Sequence, residues 1–357
     1  MTIPARAVLS AAVIPVFDGH NDSLTREDHN RIARGRKGGH VDIPRMREGG
    51  MRGGIFALFT PSDQNGDRAE PKDRDDGVFE LPLAEPVGQP AAAAYATGAA
   101  GRLLKLERRG HLSVARGVSD LDNAREGDGP PVAVMHIEGA EAIDRDLDAL
   151  DLWYEAGLRS LGIVWSRPND FGHGVPFMSP ASPNTGPGLT KRGKQLVLRC
   201  AERGVLVDLS HLNSKGFWDV AKLDEGPLVA SHSGIHALCR STRNLTNRQL
   251  DAIKASNGLV GIVFACPFLR EDFANDPDTP LERIVEHARY AADRIGVEHV
   301  ALGSDFDGAT IPNALKDAAG LPKLLDAFAQ AGFTQDEIEA IAWHNWRRVF
   351  AAWWKET

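Results

Sequence analysis

Five short segments of this chain carry side chains suited to one kind of chemistry. In Asp18-Gly-His20-Asn-Asp22 an imidazole and a carboxylate stand two residues apart where an apolar run ends. Side chains alternate along a strand, so His20 and Asp22 leave it on the same side. They form the small chelate that a divalent cation uses. Alone the pair is weak, because His-x-Asp occurs by chance. Four later segments strengthen it: Glu138 in His-Ile-Glu-Gly, His211 in Asp-Leu-Ser-His, His232 in Ala-Ser-His-Ser-Gly and Asp305 in Gly-Ser-Asp-Phe-Asp-Gly. Each follows an apolar run. Two carboxylates and three imidazoles suffice for two zinc-like ions with Glu138 bridging. Two close metals lower the pKa of a shared water and polarise a carbonyl. Asp305 then orients the water and shuttles its proton. The chemistry is metal-assisted hydrolysis.

A single core histidine is more often a hydrogen-bonded structural residue than a ligand. Five candidates that all fall on the same rim, after strands one, three, five, six and eight, are not explained that way. His136, two residues before Glu138, reads as support behind the ligands rather than as one of them. Asp18 and Asp307 stay open between the two roles. His29, His40, His111, His287 and His299 lie in polar or helical contexts and read as surface residues.

The elements that must position these groups are eight apolar runs: residues 13–17, 54–59, 132–137, 160–165, 205–209, 228–230, 259–264 and 300–303. Most are continuous rather than alternating, as in strands buried on both faces of a parallel sheet. Helical patterns separate them over residues 91–109, 141–156, 190–203, 246–256, 280–295, 321–330 and 334–354. Thr190 is a plausible N-cap, and Gly110, Gly204 and Gly296 are stops. The alternation predicts an α/β fold, a single (β/α)8 TIM-type barrel over residues 1–357, with the candidate residues on its C-terminal rim. Two insertions break the rhythm. Residues 63–77 are charged and read as a solvated loop. Residues 166–187, rich in Pro, Gly and Asn, read as a lid or substrate wall.

Composition excludes several classes. Of 357 residues 42% are hydrophobic and 25% charged, with a net charge of -8. There is no basic stripe, so nucleic acid is not expected as a partner. Cys200, Cys239 and Cys266 are an odd number without a Cys-x-x-Cys pair. They read as buried apolar side chains in a reduced compartment. The run that begins at Ala7 leads directly into the first strand, without a cleavage region. No segment has the roughly 18–20 apolar residues of a membrane span. The expectation is a cytoplasmic protein without membrane contact. Near the C-terminus Trp343, Trp346, Phe350, Trp353 and Trp354 make one apolar helix face. Core packing is its first use and a subunit interface its second.

In order along the chain, the five segments and Cys239-Arg-Ser-Thr-Arg243-Asn244 resemble the membrane (renal) dipeptidase family of zinc metallopeptidases, itself similar to the amidohydrolase barrels. The resemblance spans nearly the whole chain. It implies two Zn2+ ions per chain, one on His20, Asp22 and Glu138, the other on Glu138, His211 and His232. It implies a small peptide substrate, a homodimer, and Arg243 as the residue that binds the substrate's free carboxylate. A guanidinium fork suits that group. The chain departs from the family at two points. Trp165 stands where the family commonly has a histidine against the scissile carbonyl, and is expected to form a wall of the substrate pocket. His173, between Gly172 and Gly174, is the candidate to return an imidazole to the site; an ordinary loop residue is its other reading. After the seventh strand, Val263-Phe264-Ala265-Cys266 lacks a tyrosine that some members carry. The leading expectation is a binuclear zinc dipeptidase. The alternatives are a hydrolase of N-acyl amino acids, lactams or lactones, and a metal-bound barrel that binds without turnover.

Overall fold

A computed structural model describes residues 14–62 and 71–355. Eight parallel strands succeed one another: β1 (Val16–Asn21), β2 (Met51–Phe59), β3 (Val132–Glu138), β4 (Leu158–Gly162), β5 (Leu206–Asp208), β6 (Val229–Ser233), β7 (Leu259–Ile262) and β8 (Val300–Leu302). The last meets the first through a parallel bridge between Asn21 and Phe306. There the Asp22 N–H donates to Phe306 O at 2.8 Å and the Asp305 N–H to His20 O at 3.1 Å. The predicted (β/α)8 barrel is the fold observed. β1 runs on to Asn21, past the end of its apolar run, because the Asn21 amide donates to Ile55 O of β2 at 3.0 Å.

Helix boundaries follow capping chemistry. Thr190 accepts from Gly193 N–H at 3.0 Å to open Lys191–Arg203, and Gly204 closes it in a left-handed conformation. Leu321–Gln330 forms as predicted. Two expectations change. The helix expected over 141–156 is Asp148–Ala156, preceded by a short turn at Ala140–Ala142. There Glu141 is buried in an ion pair with Arg167 at 2.7 Å. The terminal helix is interrupted by a π-helical turn at Ala340–His344. Its aromatic face packs inward, as expected. Phe17 of β1 meets Trp343, Trp346 and Phe350 at ring centroids of 5.6, 5.8 and 5.5 Å. A Cβ on Gly19 would stand 2.4 Å from Trp346 Cζ2, so only glycine lets the indole reach beneath β1.

His287 and His299 are buried, against the surface reading. Helical spacing puts His287 on the inward face with Ile284, Ala288 and Ala291. Its Nδ1 accepts from Ile235 N–H at 3.0 Å and its Nε2 faces Leu269 O at 3.2 Å. The three cysteines are buried and free, as read.

The two insertions meet. Lys72–Asp73, Phe79–Leu81 and Phe177–Ser179 form a three-stranded antiparallel sheet over the rim. Residues 71–77 are exposed, in keeping with a solvated segment, and residues 63–70 of that insertion lie outside the described residues, as does Val13 of the first predicted strand. Among the described residues no helix is long and apolar enough to cross a membrane.

Candidate metal centre and cavity

Parallel register brings the candidate side chains to one end of the barrel. Glu138 pairs with Gly162, and Gly162 with Asp208, so β3, β4 and β5 finish level. His20 and His232 sit in the last turns of the β1 and β6 pleats, while His211 and Asp305 stand just past β5 and β8. Both of these last two adopt left-handed backbone conformations (φ 66° and 60°). All five proposed ligands are buried.

The Glu138 carboxylate stands between two donor sets. Its Oε2 is 3.4 Å from His20 Nε2, which is 3.6 Å from Asp22 Oδ2. Its Oε1 is 3.1 Å from His211 Nε2 and 3.7 Å from His232 Nε2, and those two nitrogens are 3.2 Å apart. Ligands at the usual ~2.0–2.1 Å around a tetrahedral ion are separated by about 3.3 Å. Both His20 ring nitrogens and Asp22 Oδ1 are buried without a hydrogen-bond partner. Buried polar atoms are rarely left so. The donor types, their spacing and these orphaned atoms fit divalent cations.

Hydrogen bonds behind the ligands set which nitrogen faces inward. The Ser231 hydroxyl donates to Asp208 and can therefore only accept from His232 Nδ1, at 2.8 Å. The His232 Nε2 lone pair is left for the site. His211 Nδ1 meets Ser166 Oγ at 3.0 Å. His136 Nδ1 meets Ser160 Oγ at 2.9 Å, and its Nε2 lies 3.8 Å from Asp208 Oδ2. It stands behind His20, with ring centroids 5.7 Å apart. Asp18 accepts from Ser304 N–H at 2.8 Å and ties β1 to the turn after β8. Sequence reasoning gave no role to Ser160, Ser166, Asp208 or Ser231. Asp208 was findable, three residues before His211 at a strand end.

Electrostatics follow from burial and the crowding of charge. Burial pushes His211 down to about 4, with Arg243 adding to the effect. Burial and His20 hold His232 well below the usual imidazole value. Both are thus neutral, the form that binds metal. His20 is the exception: burial opposes its charge, but Glu138 and Asp22 outweigh it and raise the imidazole. A proton there occupies the place between imidazole and carboxylates that suits a cation. Burial, then the Asp22 charge, raises Asp305 to about 8.

A cavity of about 1190 Å³ opens onto this group. Asp22, Glu138, His211 and Asp305 line its base, and Trp165, Phe59, Phe177, Phe268 and Phe273 its walls. Trp165 packs 5.1 Å from Phe59 and 5.8 Å from His211. Arg243 is buried, donating to His232 O at 3.0 Å with its guanidinium 5.6 Å over Phe268. Its Nε has no partner, and it makes no ion pair among the described residues. His173 and Arg243, like His20 and His232, are not among the residues lining the cavity; the Nδ1 of His173 is buried without a partner. At the strand-four position the cavity wall is the indole of Trp165.

The family described as "Membrane dipeptidase (Peptidase family M19)" matches residues 5–355. A metallopeptidase from Rhodobacter sphaeroides, solved with a phosphinate mimic of the dipeptide L-Ala-D-Ala, is 46% identical, with a TM-score of 0.90 over 96% of this chain and 100% of that one. A probable dipeptidase from Pseudomonas aeruginosa, 22% identical, shares the fold with a TM-score of 0.78 over 95% of each chain. An uncharacterized protein of the pqqA 5' region of Klebsiella pneumoniae is 44% identical over 247 residues, 69% of this chain and 91% of that protein.

Proposed function

This chain belongs to the membrane dipeptidase family and is a metallo-dipeptidase, and we propose that it cleaves small peptides with a free C-terminal carboxylate using two zinc ions. His20, Asp22 and Glu138 would hold one ion, and Glu138, His211 and His232 the other. Bound there, such a pair supplies Lewis acidity for the scissile carbonyl and acidifies a water between the two sites. The observation that carries this reading is the Glu138 carboxylate, whose two oxygens face two donor sets at 3.1–3.7 Å.

Asp305 accepts the proton of the attacking water and returns it to the leaving amine. Its acidity supports the role. Burial and then the Asp22 charge lift it to about 8, and cations at the neighbouring donors would draw it back toward the ordinary carboxylate range, where it is a base for the proton of the water. Arg243 binds the substrate carboxylate. A buried guanidinium without a carboxylate partner among the described residues favours an anion. Trp165 is a wall of the substrate pocket. No step is assigned to His173.

The test is a dipeptide library with L and D residues at each position, L-Ala-D-Ala included, run on metal-reconstituted protein. Cleavage of free dipeptides is expected. Turnover confined to N-acyl amino acids, lactams or lactones would overturn the proposal.

A further inference from the structure

Asp305 does not sit on a strand. It stands on the turn after β8, where Asp305 (φ 60°) and Asp307 (φ 70°) both hold left-handed conformations. In non-glycine residues such conformations persist only where the surroundings over-determine them. The turn is also packed tightly against the carboxylates: a Cβ on Gly308 would lie 2.2 Å from Asp22 Oδ2 and 2.5 Å from Asp305 Oδ1.

What over-determines the turn comes from the loop between β1 and β2. The Asp307 side chain is fully buried and ion-paired with Arg36, whose side chain is fully buried too. Asp307 Oδ1 accepts from His40 N–H at 2.6 Å, and the Asp307 N–H donates to His40 Nδ1 at 2.8 Å. Arg36 also donates to Val41 O, and its Nη1 lies 3.4 Å from Asp28 Oδ1. Its backbone N–H donates to Asp42 Oδ2 at 3.0 Å, and Asp42 caps the helix Ile43–Glu48. Arg36 is thus tied to a helix at one end and to the Asp305 turn at the other. A buried ion pair adds little stability over an apolar pair of the same shape. What it adds is direction, since a planar fork grips a carboxylate in one geometry.

We propose that Arg36 is a positioning residue: by gripping Asp307 it fixes the turn that aims the Asp305 carboxylate at the space beside Asp22 and His20. The inference rests on Asp305 as the proton carrier. Arg36 is not among the cavity-lining residues or the metal donors; besides Asp307, its Nη1 reaches Ser23 O at 3.5 Å, next to Asp22, so metal content is read beside kcat in the test below.

The experiment compares Arg36→Lys and the double variant Arg36→Met with Asp307→Asn, each as the full metal-reconstituted chain. The double variant removes both charges together, so neither is left buried alone. Arg36→Lys keeps the charge and loses the fork, and decides the matter if the double variant does not fold. The double variant should lose about tenfold to a hundredfold in kcat, the scale of a misplaced reacting group. KM should stay within about twofold and metal content at the wild-type level. Arg36→Lys should fall between the two. A folded, metal-loaded variant with wild-type kcat overturns the inference, as does a loss that merely follows lost metal or raised KM. Asp305→Asn separates the two levels of failure. Normal turnover in Asp305→Asn removes the proton carrier itself; lost turnover in Asp305→Asn beside wild-type kcat in the Arg36 variants removes only the positioning role.

Discussion

Strand β1 serves two regions with opposite habits. At Phe17 it enters an aromatic cluster in which no buried side-chain polar atom is left without a partner. Trp346 Nε1 donates to Leu302 O at 2.9 Å, Trp354 Nε1 to Arg159 O at 3.1 Å, and the Asn345 amide to Val297 O and Val300 O at 2.8 Å. At His20 and Asp22, at the end of the same strand, three buried polar atoms have no partner. The first region gains stability from burial and satisfied hydrogen bonds. The second gathers buried charges that repel or stay unpaired, and the rest of the barrel bears that cost. A rim built this way discloses its purpose by what it lacks.

The contrast predicts that damage at the rim removes activity and spares stability, while damage in the aromatic cluster does the reverse. The largest effect is expected for metal removal. Chelation should abolish turnover, and Glu138→Gln should weaken both donor sets, because it takes away the shared negative charge that offsets repulsion between two cations. Metal analysis with kinetics checks this; two tightly held metals and full turnover in Glu138→Gln would sink the bridging assignment. Next comes Asp305→Asn, with turnover reduced by about 10²- to 10⁴-fold and metals retained. Near-normal rates would take Asp305 out of the mechanism.

For the aromatic cluster, Phe350→Ala should cost about 3–5 kcal/mol in denaturant unfolding, the usual scale for a deleted core ring. The kcat of the molecules still folded should be unchanged. A large fall in kcat would mean that the two ends of β1 are not independent. Smaller again is Arg243→Ala, which should weaken hydrolysis of dipeptides by about 1.5–3 kcal/mol relative to their C-terminal amides. Equal losses on both substrates would move Arg243 away from the carboxylate. The smallest effect is a null. Burial pushes Cys200 up to about 12, so its thiol should ignore a disulfide reagent at pH 8 until the protein unfolds. Rapid labelling of the native protein would show that the wall around it opens.

How legible each region was follows from the range of the forces involved. The strand-end residues His20, Glu138 and His232 were readable because strand, polarity and position lie within a few neighbouring residues. The burial of Trp346 and Phe350 followed from helical spacing alone. His287 was misread because charged neighbours on its helix mask the inward face, and its partners Ile235 and Leu269 are distant in sequence. The ion pair of Arg36 with Asp307 joins the two ends of the chain, and no local pattern announces it. The Ser166 contact to His211 was hidden for the same reason. His173, flanked by glycines, suggested a loop turned inward, yet it lies outside the cavity lining, which tertiary packing decided.

The small sheet over the rim has a consequence for how this enzyme could change over generations. Phe79 is paired with Ser179 and Leu81 with Phe177, so two loops far apart in the gene share one set of backbone hydrogen bonds. Slipping either strand by a single residue would turn its side chains to the opposite face. An insertion in one loop thus tests the other at once, and the two should drift as a linked pair. Of the proposed metal donors, His20, Asp22, Glu138 and His232 stand on strand ends away from that sheet, whereas His211 is held by Ser166 and by the Val175 N–H of the same insertion. A lineage that retailors what it recognises in one joint step must therefore keep those two contacts if its hydrolytic chemistry is to stay intact.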